Sequence, residues 1–146
     1  MTVINRSAIV PFTAAQMFEL VNDIEKYSQF VPYCVNSQIV DRNADEIHAS
    51  LTFSGAGVHK SFSTLNRLQT NKMVEMRLVN GPFKSLEGFW SFEPLDTHLC
   101  RVTLNLEFEL STGVLKMLFG PVFHQVAALL VDAFHKRAQQ VYTMGA

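Results

Sequence analysis

Between residues 101 and 110, apolar and polar positions alternate without a break: Val102, Leu104, Leu106, Phe108 and Leu110 against Thr103, Asn105, Glu107 and Glu109. Successive side chains of a strand point to opposite faces, so this stretch predicts a strand with one buried face and one wet face. After Ser111-Thr112-Gly113 the period changes. Leu115, Leu118, Phe119, Val122, Phe123, Val126, Leu129, Leu130, Ala133 and Phe134 recur at steps of three and four, which is the spacing of a long amphipathic helix. Pro121 falls inside that run, where its ring would meet the carbonyl of Met117. The pattern therefore predicts a kink, or a short helix followed by a long one with Pro121 in its first turn.

The same reading extends upstream. Residues 3–10 form a strand that Pro11 stops, and Thr13-Ala14-Ala15-Gln16 has capping-box spacing ahead of Phe18, Leu20 and Val21. Residues 22–25 open a second short helix that ends near Phe30, because Pro32 prevents its continuation. Strands are expected at 37–41, 46–53, 60–68, 73–78 and 85–92. They are separated by turns at 42–45, 55–57, 70–71, 80–82 and 94–97, where Gly, Pro, Asn and Asp gather. Strands joined by short turns make an antiparallel sheet, and the apolar stripe of the last helix has only that sheet large enough to cover it. The fold class is α+β: a curved antiparallel sheet wrapped around a long C-terminal helix, with two short helices after the first strand. Residues 1–146 are expected to form one domain, a length that buries a sizeable core without a staple.

Composition narrows the chemistry. Twelve Phe against three Tyr and one Trp favour purely apolar internal surfaces. The net charge of −1 gives no overall attraction to DNA or anionic lipid. Charge is unevenly spread, however: Lys60, Arg67, Lys72, Arg77, Lys84 and Arg101 make the middle of the chain mildly basic. Cys34 and Cys100 lie far apart without a C-x-x-C, which suits free thiols in a reducing, cytoplasmic setting. The first residues lack the apolar core of a leader peptide, and the longest aliphatic run, 126–131, is too short to span a bilayer. Any membrane contact is expected to be transient and at the surface.

Candidate catalytic groups are sparse. The five histidines are scattered, with no metal-ligand spacing, and are read as solvated. Glu107 and Glu109 share a strand face but oppose its apolar side, so they read as solvated sheet surface rather than an acid–base pair. No catalytic residue, metal or required cofactor is expected. The aromatics say more. Tyr27, Phe30, Val31, Pro32 and Tyr33 form one apolar knot; Phe83, Leu86, Trp90 and Phe92 form another, with Gly88 inside it. A glycine within a strand marks a bulge or a close approach.

Three motifs in order carry a resemblance across nearly the whole chain: Tyr27-Ser28-Gln29-Phe30-Val31-Pro32-Tyr33-Cys34; Gly81-Pro82-Phe83-Lys84 with Leu86, Gly88, Trp90 and Phe92; and Leu118-Phe119-Gly120-Pro121-Val122-Phe123 with Val131-Asp132-Ala133-Phe134. Together they resemble the coenzyme-Q-binding proteins, a START-like group related to the polyketide cyclases. Ser28 stands where that group commonly has Pro. The resemblance implies a helix-grip fold around an apolar tunnel that holds ubiquinone or a related polyprenyl quinone in support of respiration. One bacterial branch of the group comprises ribosome association toxins. For that branch it implies binding to the large ribosomal subunit, inhibition of subunit joining and an antitoxin partner. The apolar residues here nominate Phe30, Val31, Tyr33, Phe83, Leu86, Trp90, Phe108, Leu115, Phe119, Val122 and Phe123 as ligand-binding, with Tyr33 or Trp90 as hydrogen-bond donor. The six basic residues are the candidates for ribosomal RNA contacts. A cyclase-type enzyme is the third reading, and the apolar inward positions speak against it.

Overall fold

The computed structural model describes residues 1–142. The elements run β1 (Thr2–Val10), α1 (Ala14–Asn22), a 3₁₀ turn (Ile24–Gln29), β2 (Cys34–Arg42), β3 (Glu46–Gly55), β4 (Val58–Gln69), β5 (Met73–Asn80), β6 (Phe83–Asp96), β7 (Leu99–Leu110), α2 (Gly113–Leu118) and α3 (Gly120–Tyr142). One seven-stranded sheet has the order β1-β7-β6-β5-β4-β3-β2, with every neighbouring pair antiparallel. β1 and β2 are thus opposite edges. The chain between them must cross the whole sheet, and α1 and the 3₁₀ turn make that crossing. Thr13 caps α1 as its spacing predicts: its hydroxyl accepts from Gln16 N–H at 3.0 Å, and the Gln16 side chain accepts from Thr13 N–H at 2.9 Å.

Several boundaries move for identifiable reasons. Ala56 and Gly57, at φ 52° and 77°, form a two-residue turn with Gly55 paired to Val58. A turn with both central residues at positive φ matches strand twist, so β3 and β4 run right up to it. Tyr33, at φ 62°, turns the chain sharply into β2, which begins at Cys34 rather than residue 37. The turn expected at 94–97 is narrower: β6 continues through Pro94, opposite Cys100, to Asp96 opposite Leu99. The register slips between Pro94 and Asp96, an irregularity that accommodates a residue without an N–H. Pro121 lies in the first turn of α3, where a missing N–H costs nothing, and α2 is the separate short helix before it.

The sheet's inner face carries the even residues of β7, all buried, and closes on α3 through Val122, Phe123, Val126, Ala127, Val131, Phe134 and Ala138. α3 holds the sheet with two aromatic clamps about three turns apart. Phe123 meets Phe53, Phe62, Phe83, Phe108 and Phe119 at centroid distances of 4.8–6.1 Å. Phe134 meets Tyr27 at 5.2 Å, Phe30 at 5.0 Å and Trp90 at 5.1 Å, all edge to face. No helix among the described residues is long and apolar enough to cross a membrane.

Candidate functional site

Between the two clamps α3 presents only Val126, Ala127 and Leu130, and the space this leaves is a hollow of about 70 Å³. The sheet side is lined by Ala49, Leu51, Phe53, Phe62, Thr64, Asn66, Met76, Leu86, Trp90, Leu104 and Leu106; Ile24, Tyr27 and Val31 close the crossing-segment side. At roughly 30 Å³ per water the hollow has room for about two waters, whereas pockets for drug-sized ligands begin near 300 Å³. Where the resemblance implies a tunnel, the structure has a small hollow, too small as it stands for an isoprenoid chain.

The nominated ligand residues divide accordingly. Val31, Leu86, Trp90 and Phe123 line the hollow. Phe83, Phe108 and Phe119 are buried in the Phe123 cluster and wall one end without reaching the space. Phe30 lies behind Phe134, under the Arg137 guanidinium 5.1 Å away. Val122 packs toward the β3–β4 turn, where it and Tyr33 each come within 3.1 Å of a methyl built on Gly55. Tyr33 is 41% exposed and its hydroxyl donates to Gln125 Oε1 at 3.2 Å, so it is no internal donor. Leu115 sits half-buried on α2.

Thr64 and Asn66 were not nominated, yet both line the hollow. In 60–68 the inward positions Phe62, Thr64, Asn66 and Leu68 mix apolar with polar, and Leu65 faces out, so no clean alternation appears. Phe62 and Leu68 on one face do force Thr64 and Asn66 onto it, because the pleat has period two. The Thr64 hydroxyl donates to Asn66 Oδ1 at 2.8 Å.

A model for "Polyketide cyclase / dehydrase and lipid transport" matches residues 10–135. The chain belongs to that family. Among its curated relatives, ribosome association toxin RatA of Escherichia coli K12 is 43% identical over 140 residues, which cover 96% of this chain and 89% of that protein. The mitochondrial coenzyme Q-binding protein of Dictyostelium discoideum is 24% identical over 131 residues, 87% of this chain and 64% of that protein. The crystal structure of Zhui aromatase/cyclase from a Streptomyces species superposes with a TM-score of 0.84 at 15% identity, covering 99% of this chain and 98% of that one. At that identity the likeness speaks for the helix-grip fold.

Acid–base chemistry of the kind that the family's cyclase members suggest finds little to use. Glu107 and Glu109 face outward, as the alternation predicts, and the Lys116 ammonium 3.4 Å from Glu109, aided by Lys84, holds that carboxyl below its usual range. No group of three or more metal-binding side chains comes together among the described residues. Of the histidines read as solvated, His48 departs: its Nε2 is buried without a partner, and His135 packs edge-on to Phe12.

The six basic residues do not converge on one patch. Arg101 pairs with Glu93 at 3.0 Å and Lys84 lies 3.9 Å from Glu109. Arg67 is opposite Glu46 and Glu75 in register, and Arg77 is opposite Glu87. Lys72 stands in the β4–β5 turn and Lys60 opposes Phe53 near the β3–β4 turn.

Cys34 and Cys100 are free and buried. Burial pushes the Cys34 thiol up to about 11, with a backbone hydrogen-bond contribution from Asn36 opposing it in part, and burial also raises Cys100. With folded values above the unfolded one of about 8.5, the unfolded chain gives up these protons first as pH rises. The stabilising contribution of the neutral thiols is complete below about pH 8.5 and is lost toward pH 11. The urea midpoint is expected to fall across that window, and to fall less steeply in Cys34→Ala.

Proposed function

We propose that this protein is a ribosome-associating toxin, as its relatives are named, and that, as the resemblance to that branch implies, it binds the large ribosomal subunit and inhibits subunit joining. The observation that carries this is the 43% identity to E. coli ribosome association toxin RatA, spread over 96% of this chain rather than confined to a shared core. The contacting surface is the outer face of the sheet and its β4–β5 end, where Arg67, Lys72, Arg77 and Lys84 are exposed. Glu46, Glu75 and Glu87 stand beside these cations and weaken their field, so charge alone does not account for the binding. An antitoxin protein is the expected counterpart. Co-sedimentation with purified large subunits tests the proposal: binding at low salt that weakens steeply as salt rises supports it. Arg67→Gln with Arg77→Gln should reduce the slope of log affinity against log salt by about one to two. Absence of co-sedimentation at low salt overturns it.

A second reading is favoured by the hollow between the clamps: the inside of the fold holds an apolar ligand of the polyprenyl quinone type, loaded in transient contact with a membrane surface. The hollow's apolar lining and the likeness to a coenzyme Q-binding protein support it. The two readings are compatible, since one uses the outside and the other the inside. The polar side chains at the hollow are an amide, a hydroxyl, a phenol and an indole, with no carboxylate or imidazole among them, so they suit binding better than acid–base turnover.

A further inference from the structure

We propose that Asn66, oriented by Thr64, is the polar anchor of the hollow and that its amide N–H takes a carbonyl oxygen of an otherwise apolar ligand. The inference rests on the second reading above and adds to it the group that the site recognises. Four lining side chains carry a polar atom: Tyr27, Thr64, Asn66 and Trp90. The Tyr27 hydroxyl is spent on the Val21 carbonyl, and burial raises its pKa well beyond its usual value, so it stays a neutral donor to that carbonyl. The Trp90 ring packs edge-on against Phe134, a contact that leaves its indole N–H as a second donor at the hollow. Thr64 gives its proton to Asn66 Oδ1. With Oδ1 engaged in this way, the Nδ2 end of the amide has two N–H groups to offer.

Asn66 is only 7% exposed and lines the hollow, so its amide meets whatever fills that space. Elsewhere Ser37 accepts from Ser28 N–H and Thr52 pairs with Ser61, while His48 Nε2 and Asn22 Oδ1, which are buried without a partner, do not line the hollow. A buried amide with a spare donor is unfavourable unless something fills its second half. Its neighbours explain what can. In register Asn66 is opposite Met76, a flexible thioether that can yield to a ligand. A ring carbonyl can then meet the amide, with the rest of the ligand against Leu86, Leu104 and Leu106. A hydrocarbon of the same shape would leave the amide unsatisfied, which is how one hydrogen bond gives selectivity in an apolar site.

The test compares decylubiquinone with decylbenzene, which has the same tail and no carbonyl. Dissociation constants are measured by calorimetry, with the fluorescence of Trp90, the sole tryptophan, reporting occupancy of the hollow. Wild type is expected to prefer the quinone. Asn66→Leu should weaken the quinone about 10-fold, leave decylbenzene as tight or tighter, and raise the melting temperature because the spare donor is gone. Thr64→Val keeps the shape but frees the amide to turn, and should lose part of the preference; it serves if Asn66→Leu fails to fold. Unchanged quinone affinity in folded Asn66→Leu, or equal loss of both probes, overturns the anchor while the apolar-ligand reading stands. If wild type binds neither probe, that reading fails and the anchor falls with it.

Discussion

Gly88→Ala is expected to lower the unfolding free energy by about 3 kcal/mol or more, enough to deplete the folded protein at 37 °C. A methyl at this position would lie 2.1 Å from the Asn105 carbonyl oxygen and 2.9 Å from the Leu106 Cα. Both are backbone atoms of β7, and β7 is held between β1 and β6 along its whole length. The far end of a flexible side chain could swing aside; a central strand cannot move without loosening both ladders. The loss should appear as a lower urea midpoint with the slope unchanged, which is the sign of a destabilised fold rather than an altered unfolded state. A midpoint within error of wild type would mean that β6 and β7 can separate locally, and the tight approach would then be incidental. Gly88 reads from the sequence as a bulge or a close approach, and the structure makes it a close approach within the sheet itself.

Phe134→Ala should cost about 3–5 kcal/mol, in the range of large aromatic truncations in a core. Phe134 is 0% exposed and is the common neighbour of Tyr27, Phe30 and Trp90. It joins the crossing segment, the helix and the sheet at one point, so no single element can collapse into the space it vacates. In a 146-residue chain, where 1 kcal/mol moves the midpoint by about 2–4 °C, thermal unfolding should occur about 10 °C lower. The truncation also enlarges the 70 Å³ hollow at its Trp90 end. Small apolar molecules should then partly restore the melting temperature by binding the folded state. A drop of less than 1 kcal/mol would show that the clamp is loosely packed, and the hollow would have to be regarded as already open.

What could be read in advance depended on whether local pattern and tertiary environment agreed. In β7, alternation named both the strand and its buried face, because every second residue meets the core and none is an exception. Pro121 located the break between α2 and α3 because the missing N–H acts on the chain itself. The capping box at Thr13 is likewise complete within four residues. The ligand residues were harder. Tyr33 and Trp90 look alike as aromatics in apolar knots, yet one is at the surface bonded to Gln125 and the other is inside. Thr64 and Asn66 were not named because polar side chains in a strand carry no signal of burial, yet both are buried here.

The sequence by itself determined the order of elements, the antiparallel sheet, the helix that closes it and the family, because these follow from periodicity, turn chemistry and motifs carried by neighbouring residues. Only the tertiary structure decided which aromatics clamp and which line, that the space between the clamps is a small hollow, that the basic residues are interleaved with carboxylates, and that Thr64 and Asn66 line that hollow. Each of these depends on which residues face one another across strands or across the grip. Those partners lie tens of residues apart in the chain, and the sheet's register alone brings them together.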